Sequence, residues 1–139
     1  MTTMKARLAV MMFLQFFIWG AWYVTLGTWL STSLHFSDQQ IGWLYGTTAI
    51  GAIVSPFFVG LIADRTFAAQ RLLGVLHALG AALLLFASTQ SSFVLVYAAV
   101  QLYALCYMPT LALTASLAMR QMTDTKQEFG MVRAFGTLG

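Results

Sequence analysis

The chain has 139 residues, of which 60% are hydrophobic and only 8% are charged, and its formal net charge is +3. A soluble domain carries about 25% charged residues, and at this length it still exposes about a third of its unfolded-chain surface. That surface would here be mostly apolar, so the composition excludes an ordinary soluble fold and favours a membrane protein. The basic residues fall only between apolar runs, which argues against a nucleic-acid-binding surface.

Four apolar runs are long enough to cross a membrane as helices, since a hydrocarbon core of about 30 Å needs roughly 20 helical residues. They cover about residues 8–34, 41–63, 72–90 and 93–119, and a fifth run begins at 129. The first run is far longer than the roughly 7–15 apolar residues of a signal peptide, so it is predicted to remain as a span. The sequence thus predicts an all-α membrane protein with four transmembrane helices and the start of a fifth.

The basic residues predict how this bundle is oriented. They precede the first span, separate the second from the third, and follow the fourth: Lys5, Arg7, Arg65, Arg71, Arg120, Lys126 and Arg133. In an up-and-down bundle all of these positions lie on one side, and the positively charged side is cytoplasmic. We therefore expect a multi-pass protein of the inner or plasma membrane with a cytoplasmic N-terminus.

Two stripes of polar and aromatic residues recur at helical spacing within the spans. The first span carries Gln15, Trp19, Trp22, Leu26 and Trp29, and the fourth carries Tyr103, Tyr107, Thr110 and Thr114. Polar groups are costly against hydrocarbon, so both stripes should face protein or a wet cavity. There Trp19 and Trp22, which lie deep in the span, could stack on a planar ligand or simply pack against neighbouring helices.

Other residues within the spans have both structural and functional interpretations. His77 could sense protons or be a hydrogen-bonded structural group. Gly42 and Gly46 are spaced to allow close helix approach. Pro56 and Pro109 each lack an N–H and should kink their helices.

The stretch GLIADRTFAAQR combines a glycine with charges between the second and third spans. Gly60 would allow close helix approach, and Asp64 could accept hydrogen bonds from the N-terminus of a neighbouring helix. With Arg65 and Arg71 these residues predict a conformational latch, and an ordinary charged loop is the alternative. In this position they resemble the cytoplasmic loop motif of the major facilitator superfamily, although TFAAQR departs from the usual glycine and basic residues.

Within that superfamily the chain is most similar to the bacterial nucleoside:proton symporters. The similarity rests on FLQFFIWGAWYVTLGTWL in the first span, on the loop stretch, on YMPTLAL in the fourth span and on VRAFGTLG at the end. It implies a transporter built from two six-helix halves, of which this chain would be an N-terminal fragment that lacks its C-terminal half. It also implies that Arg133 and Thr137, in an R-x-x-G-T-x-G motif, face the substrate cavity. Gln15, Trp19 and Tyr107 are further candidates for substrate contact.

The predicted function is proton-coupled nucleoside uptake by alternating access, with nucleoside, protons and the lipid bilayer as partners. A facilitator-type sugar transporter and a four-span assembly or scaffold protein are the alternatives. An enzyme is not expected, because the sequence contains no metal-ligand cluster, no serine–histidine pair in register and no phosphate-binding loop. No cofactor and no metal are expected.

Overall fold

The structure is a computed structural model that describes residues 3–63, 69–122 and 125–139, with the side chains of all these except 58–63, 125–129, 131 and 132. It contains five helices: α1 (Thr3–Thr32), α2 (Asp38–Ala63), α3 (Ala69–Ser88), α4 (Phe93–Arg120) and α5 (Thr125–Leu138). The described residues form no β-strand, so the all-α prediction is confirmed.

Most of the helices extend beyond the apolar runs that predict them. α1 begins at Thr3 rather than near residue 8, and α5 begins at Thr125 rather than at 129. Lysine, arginine, glutamine and glutamate form helices well, so a helix can continue past its apolar part. α2 and α4 also continue through Pro56 and Pro109 without a break.

α2 begins at a capping box formed by Ser37 and Gln40. The Ser37 hydroxyl accepts from the Gln40 N–H at 3.3 Å, and the Gln40 side-chain oxygen accepts from the Ser37 N–H at 3.0 Å. These reciprocal bonds satisfy donors that a helix start leaves unpaired. In the preceding turn His35 has a φ of 55°, in the left-handed region, so the chain enters α2 through a defined turn.

The chain divides into two compact units. The first contains Met1–Gly27 and Thr114–Gly139, which hold most of α1, the end of α4 and α5. Its core is formed by Leu8 and Met12 of α1 and Ala118 of α4. Partly buried apolar residues pack around them: Met11, Phe16, Ala115 and Met122.

The second unit, Thr28–Leu113, contains α2, α3 and most of α4. α2 and α4 meet at Gly51, where an added Cβ atom would lie 2.8 Å from the Ala104 carbonyl oxygen. By contrast, a Cβ atom at Gly42 or Gly46 would meet no described atom within 4 Å. Among the described helices the close contact of α2 thus lies at Gly51. Close helix approach at Gly42 and Gly46 stays a prediction.

Three of the helices, as far as the structure describes them, are long and apolar enough to cross a membrane: α1, α3 and α4. Large apolar side chains on several helices are strongly exposed, among them Val24, Phe57, Leu85 and Val94. Such a surface is favourable in lipid and costly in water. Length, composition and exposed surface therefore agree with a protein that crosses the membrane several times.

Candidate functional site

α5 lies directly against α1 in the first unit. A Cβ atom at Gly136 would lie 2.7 Å from the Phe16 ring, and one at Gly139 would overlap the Phe13 carbonyl oxygen. A Cβ atom on Gly20 of α1 would in turn be 3.5 Å from the Gly139 carbonyl oxygen. Small residues allow two membrane helices to approach this closely. Packing against α1 thus explains the two glycines of the GTLG end of the motif.

The polar residues of the same motif lie on another part of α5. Arg133 and Thr137 are four residues apart, so they share one face of the helix. Both side chains are exposed in this chain. The motif therefore combines glycines that pack on α1 with a cation and a hydroxyl that remain available to a ligand. Arginine donates in a planar fork and suits carbonyl or hydroxyl acceptors, and threonine can donate or accept.

Gln15 and Tyr107, two further candidates for substrate contact, are buried. Gln15 is 2% exposed in the first unit, and Tyr107 is 1% exposed in the second. In this arrangement a substrate would reach either side chain only after a change in packing. Their role in substrate binding stays a prediction.

Trp19, the remaining candidate on α1, belongs to a group of three aromatic rings. Its indole stacks on Tyr23 with ring centroids 4.5 Å apart and planes 19° apart. Trp22 stands edge-on to both rings, at 5.5 Å from each. Sequence analysis singled out the two tryptophans and missed Tyr23. The signal was present, because Tyr23 follows Trp19 by four residues and hence lies on the same face.

The stripe on α4 is buried: Tyr103, Tyr107 and Thr110 lie in the second unit, and Thr114 is the first residue of α4 in the first unit. Tyr103 and Tyr107 stack at 5.6 Å, and the His77 ring of α3 stands edge-on to Tyr107 at 6.0 Å. The Thr110 hydroxyl donates to the Tyr107 carbonyl oxygen at 2.5 Å, so its polar group is satisfied within the helix. These contacts give His77 a packing role, and proton sensing by His77 stays a prediction.

Gln101 on α4 is a polar residue that sequence analysis did not single out. Both polar atoms of its side-chain amide are buried and have no hydrogen-bond partner among the described residues. Leaving such a group unpaired costs about 1–3 kcal/mol. A hydrogen-bonding group from outside the described residues would therefore stabilise this part of α4.

The predicted latch lies mostly outside the residues that the structure describes. Asp64 and Arg65 belong to the segment left out, and Gly60 lies in α2 shortly before that segment. Arg71 is exposed near the start of α3. The latch therefore stays a prediction. Among the described side chains there is no group of three or more His, Cys, Asp or Glu that could hold a metal ion.

Comparison with known proteins identifies relatives along the whole chain. The model of the nucleoside H+ symporter family matches residues 1–139. A putative nucleoside transporter of Escherichia coli, YegT, is 48% identical over 134 residues, which cover 96% of this chain and 31% of YegT. The xanthosine permease of the same organism is 36% identical over 137 residues, covering 96% of this chain and 33% of the permease. The chain thus spans about a third of the length of the curated relatives it matches.

The structural comparison agrees with the sequence comparison. The crystal structure of the nucleoside transporter NupG matches with a TM-score of 0.93 at 28% sequence identity, covering 99% of this chain and 35% of NupG. The five helices therefore correspond to the N-terminal part of a transporter bundle, as the sequence predicts. The family model matches every residue of the chain, and the NupG crystal structure has the same arrangement of helices. The chain belongs to the nucleoside H+ symporter family of the major facilitator superfamily.

Proposed function

We propose that this chain is the N-terminal part of a secondary active transporter that couples nucleoside uptake to proton entry by alternating access. The observation that carries the proposal is the match of the nucleoside H+ symporter family model to all 139 residues. The relatives are transporters and permeases, which supports transport and offers no support for an enzyme, a sugar facilitator or a scaffold protein. The partners would be a nucleoside, protons, the lipid bilayer and the rest of the transporter.

The geometry of α5 supports a site for a polar, hydroxyl-bearing substrate. Arg133 and Thr137 are exposed on one face, and the glycines at 136 and 139 fix the helix against α1. A ligand held at these two side chains could hydrogen-bond through sugar hydroxyls or base carbonyls. In transporters of this architecture the substrate lies near the bilayer midplane between two repeats, which rock about it. Arg133 and Thr137 would contribute part of such a site, and the rest of the transporter would supply the remainder.

We further propose that the N-terminus is cytoplasmic and that the protein lies in the inner membrane. The proposal rests on the six basic residues other than Arg133, all of which fall on one side of the predicted bundle. Single-cysteine variants of the full-length protein, made after replacing Cys106 and any other native cysteine by serine, test it. A membrane-impermeant maleimide is expected to label Ser33→Cys in intact cells and to label Arg71→Cys only after the membrane is opened. Labelling of Arg71→Cys from outside would overturn the orientation.

Transport by the purified full-length protein in liposomes tests the function itself. With an acidic exterior, we expect labelled uridine to accumulate inside above its external concentration, because inward proton flow drives the coupled substrate. A protonophore should abolish the accumulation while leaving slow equilibration. Unlabelled nucleosides should compete, and unlabelled ribose and glucose should not.

Two outcomes would contradict this proposal. Uridine uptake that is insensitive to both the pH gradient and the protonophore would exclude proton coupling. Competition by sugars but not by nucleosides would favour the sugar facilitator instead.

A further inference from the structure

The three aromatic rings of α1 form a right-angled group in the first unit. Trp19 and Tyr23 stack nearly parallel, and Trp22 stands at 78° to the first ring and 89° to the second. Trp22 is buried, whereas Trp19 and Tyr23 are half-buried. The buried indole therefore braces two parallel rings that retain accessible surface.

The stacked pair is held by its spacing on the helix. Side chains four residues apart lie one above the other, so an aromatic pair at this spacing can stack. The centroid separation of 4.5 Å is at the short end of the range for aromatic pairs, which means that the two faces overlap closely. Tyr23 thereby limits the rotation of the Trp19 indole and keeps its plane fixed.

The contacts between α1 and α5 place this pair relative to Arg133 and Thr137. Gly136 lies against Met12 and Phe16, and Gly139 lies against Phe13 and Phe17, so the two helices run parallel. Thr137, next to Gly136, is therefore close to the level of Phe16. Trp19 and Tyr23 follow Phe16 by three and seven residues, which is roughly 5 and 10 Å along the axis at 1.5 Å per residue.

This separation suits a molecule that is hydroxyl-rich at one end and flat and aromatic at the other. A nucleoside whose sugar lies at the level of Arg133 and Thr137 would extend its base towards the level of Trp19. The indole face is the part of this group suited to stacking on a planar base. Stacking alone distinguishes bases weakly, so the orientation of the indole would set how well different bases fit.

We infer that Tyr23 is a positioning residue for base recognition, which holds the Trp19 indole in the plane where it stacks on the nucleobase. This inference rests on the proposed function and deepens it. The part of Tyr23 that carries this role is its ring, which makes the stacking contact with Trp19.

Substitutions at Tyr23 in the full-length transporter separate this role from ordinary packing. Tyr23→Phe keeps the ring and is expected to leave the KM for uridine and adenosine within twofold of the wild type. Tyr23→Leu removes the ring and is expected to raise both KM values about 3- to 10-fold, with Vmax little changed. Phe57→Leu is the matched control, because it removes an aromatic ring that is 72% exposed on α2. It should leave both KM values unchanged.

5,6-Dihydrouridine provides a readout that a purely structural role would not move. Its sugar equals that of uridine, but its base is neither aromatic nor flat. The wild type should therefore prefer uridine, and Tyr23→Leu should lose most of that preference while Tyr23→Phe retains it. Where Tyr23→Leu does not reach the membrane, Tyr23→Met replaces it with the same expectation.

The outcomes distinguish this inference from the proposed function. If the wild type transports nucleosides and Tyr23→Leu keeps both the KM and the preference for uridine, the inference is wrong and the proposed function stands. If the wild type transports no nucleoside, the proposed function itself fails. A drop in Vmax with unchanged preference for uridine would assign Tyr23 to packing only and would also overturn the inference.

Discussion

Replacing Arg133 by alanine is expected to lower uridine uptake by the full-length transporter by about 10- to 100-fold. Hydrogen bonds to a charged group are worth about 1.5–3 kcal/mol, and 1.4 kcal/mol corresponds to a tenfold change in an equilibrium. Arg133 is exposed on the face of α5 that it shares with Thr137, so its guanidinium can reach a ligand. The measurement is the initial rate of labelled uridine uptake in liposomes that contain equal amounts of folded protein.

Two companion variants separate substrate binding from a simple contribution of positive charge. Arg7→Ala also removes an exposed cation, but near the start of α1, and should leave uptake close to that of the wild type. Arg133→Lys keeps the charge and loses the planar fork of donors, so it should restore only part of the activity. Full activity of the lysine variant would show that Arg133 acts as a point charge extending towards the membrane surface. Unchanged uptake by Arg133→Ala would remove the residue from the site.

The motif on α5 shows which features of a site can be predicted from the sequence. The spacing of Arg133 and Thr137 predicts that they share a face, since helical periodicity fixes that relation. It does not predict which neighbour the glycines at 136 and 139 meet, because that depends on how α5 docks onto another helix. The contact with α1 appears only in the structure.

The helices themselves could be predicted from the length of the apolar runs, whereas burial within the bundle could not. A polar stripe must avoid lipid, but sequence alone does not decide between a wet cavity and a dry interface. In this structure Gln15 and Tyr107 are buried against protein, with 2% and 1% of their surface exposed. Tyr23 was missed for a related reason. Its spacing of four residues from Trp19 places both on one face of α1, but spacing alone does not show that the two rings stack.

Close helix contacts show the same limit. The spacing of Gly42 and Gly46 matches the pattern for close approach, yet neither position meets a described neighbour within 4 Å. Gly51 is not four residues from either of these glycines, yet it makes the tight contact with α4. Small residues permit a close approach, and the docking of the partner helix decides where it occurs.

Gly51→Ala is expected to destabilise the protein by about 1–3 kcal/mol, which is the usual cost of inserting an extra methyl group into a packed interface. The new Cβ atom would lie 2.8 Å from the Ala104 carbonyl oxygen and 3.0 Å from its carbon. These are backbone atoms of α4, so they cannot move aside as the end of a side chain could. A lower melting temperature of the full-length transporter in detergent, with reduced uptake, would be the measured result. Gly51→Leu should prevent folding altogether.

Gly42→Ala is the matched control for this experiment, because it makes the same chemical change on the same helix. No described atom lies within 4 Å of its new methyl group, and alanine is a better helix former than glycine by about 1 kcal/mol. Its melting temperature should therefore equal or exceed that of the wild type, opposite in sign to the Gly51 variant. If Gly42→Ala and Gly51→Ala changed the melting temperature equally, then helix propensity, and not contact with α4, would determine the effect of replacing a glycine in α2. That result would contradict the packing of α2 against α4 on which the second unit depends.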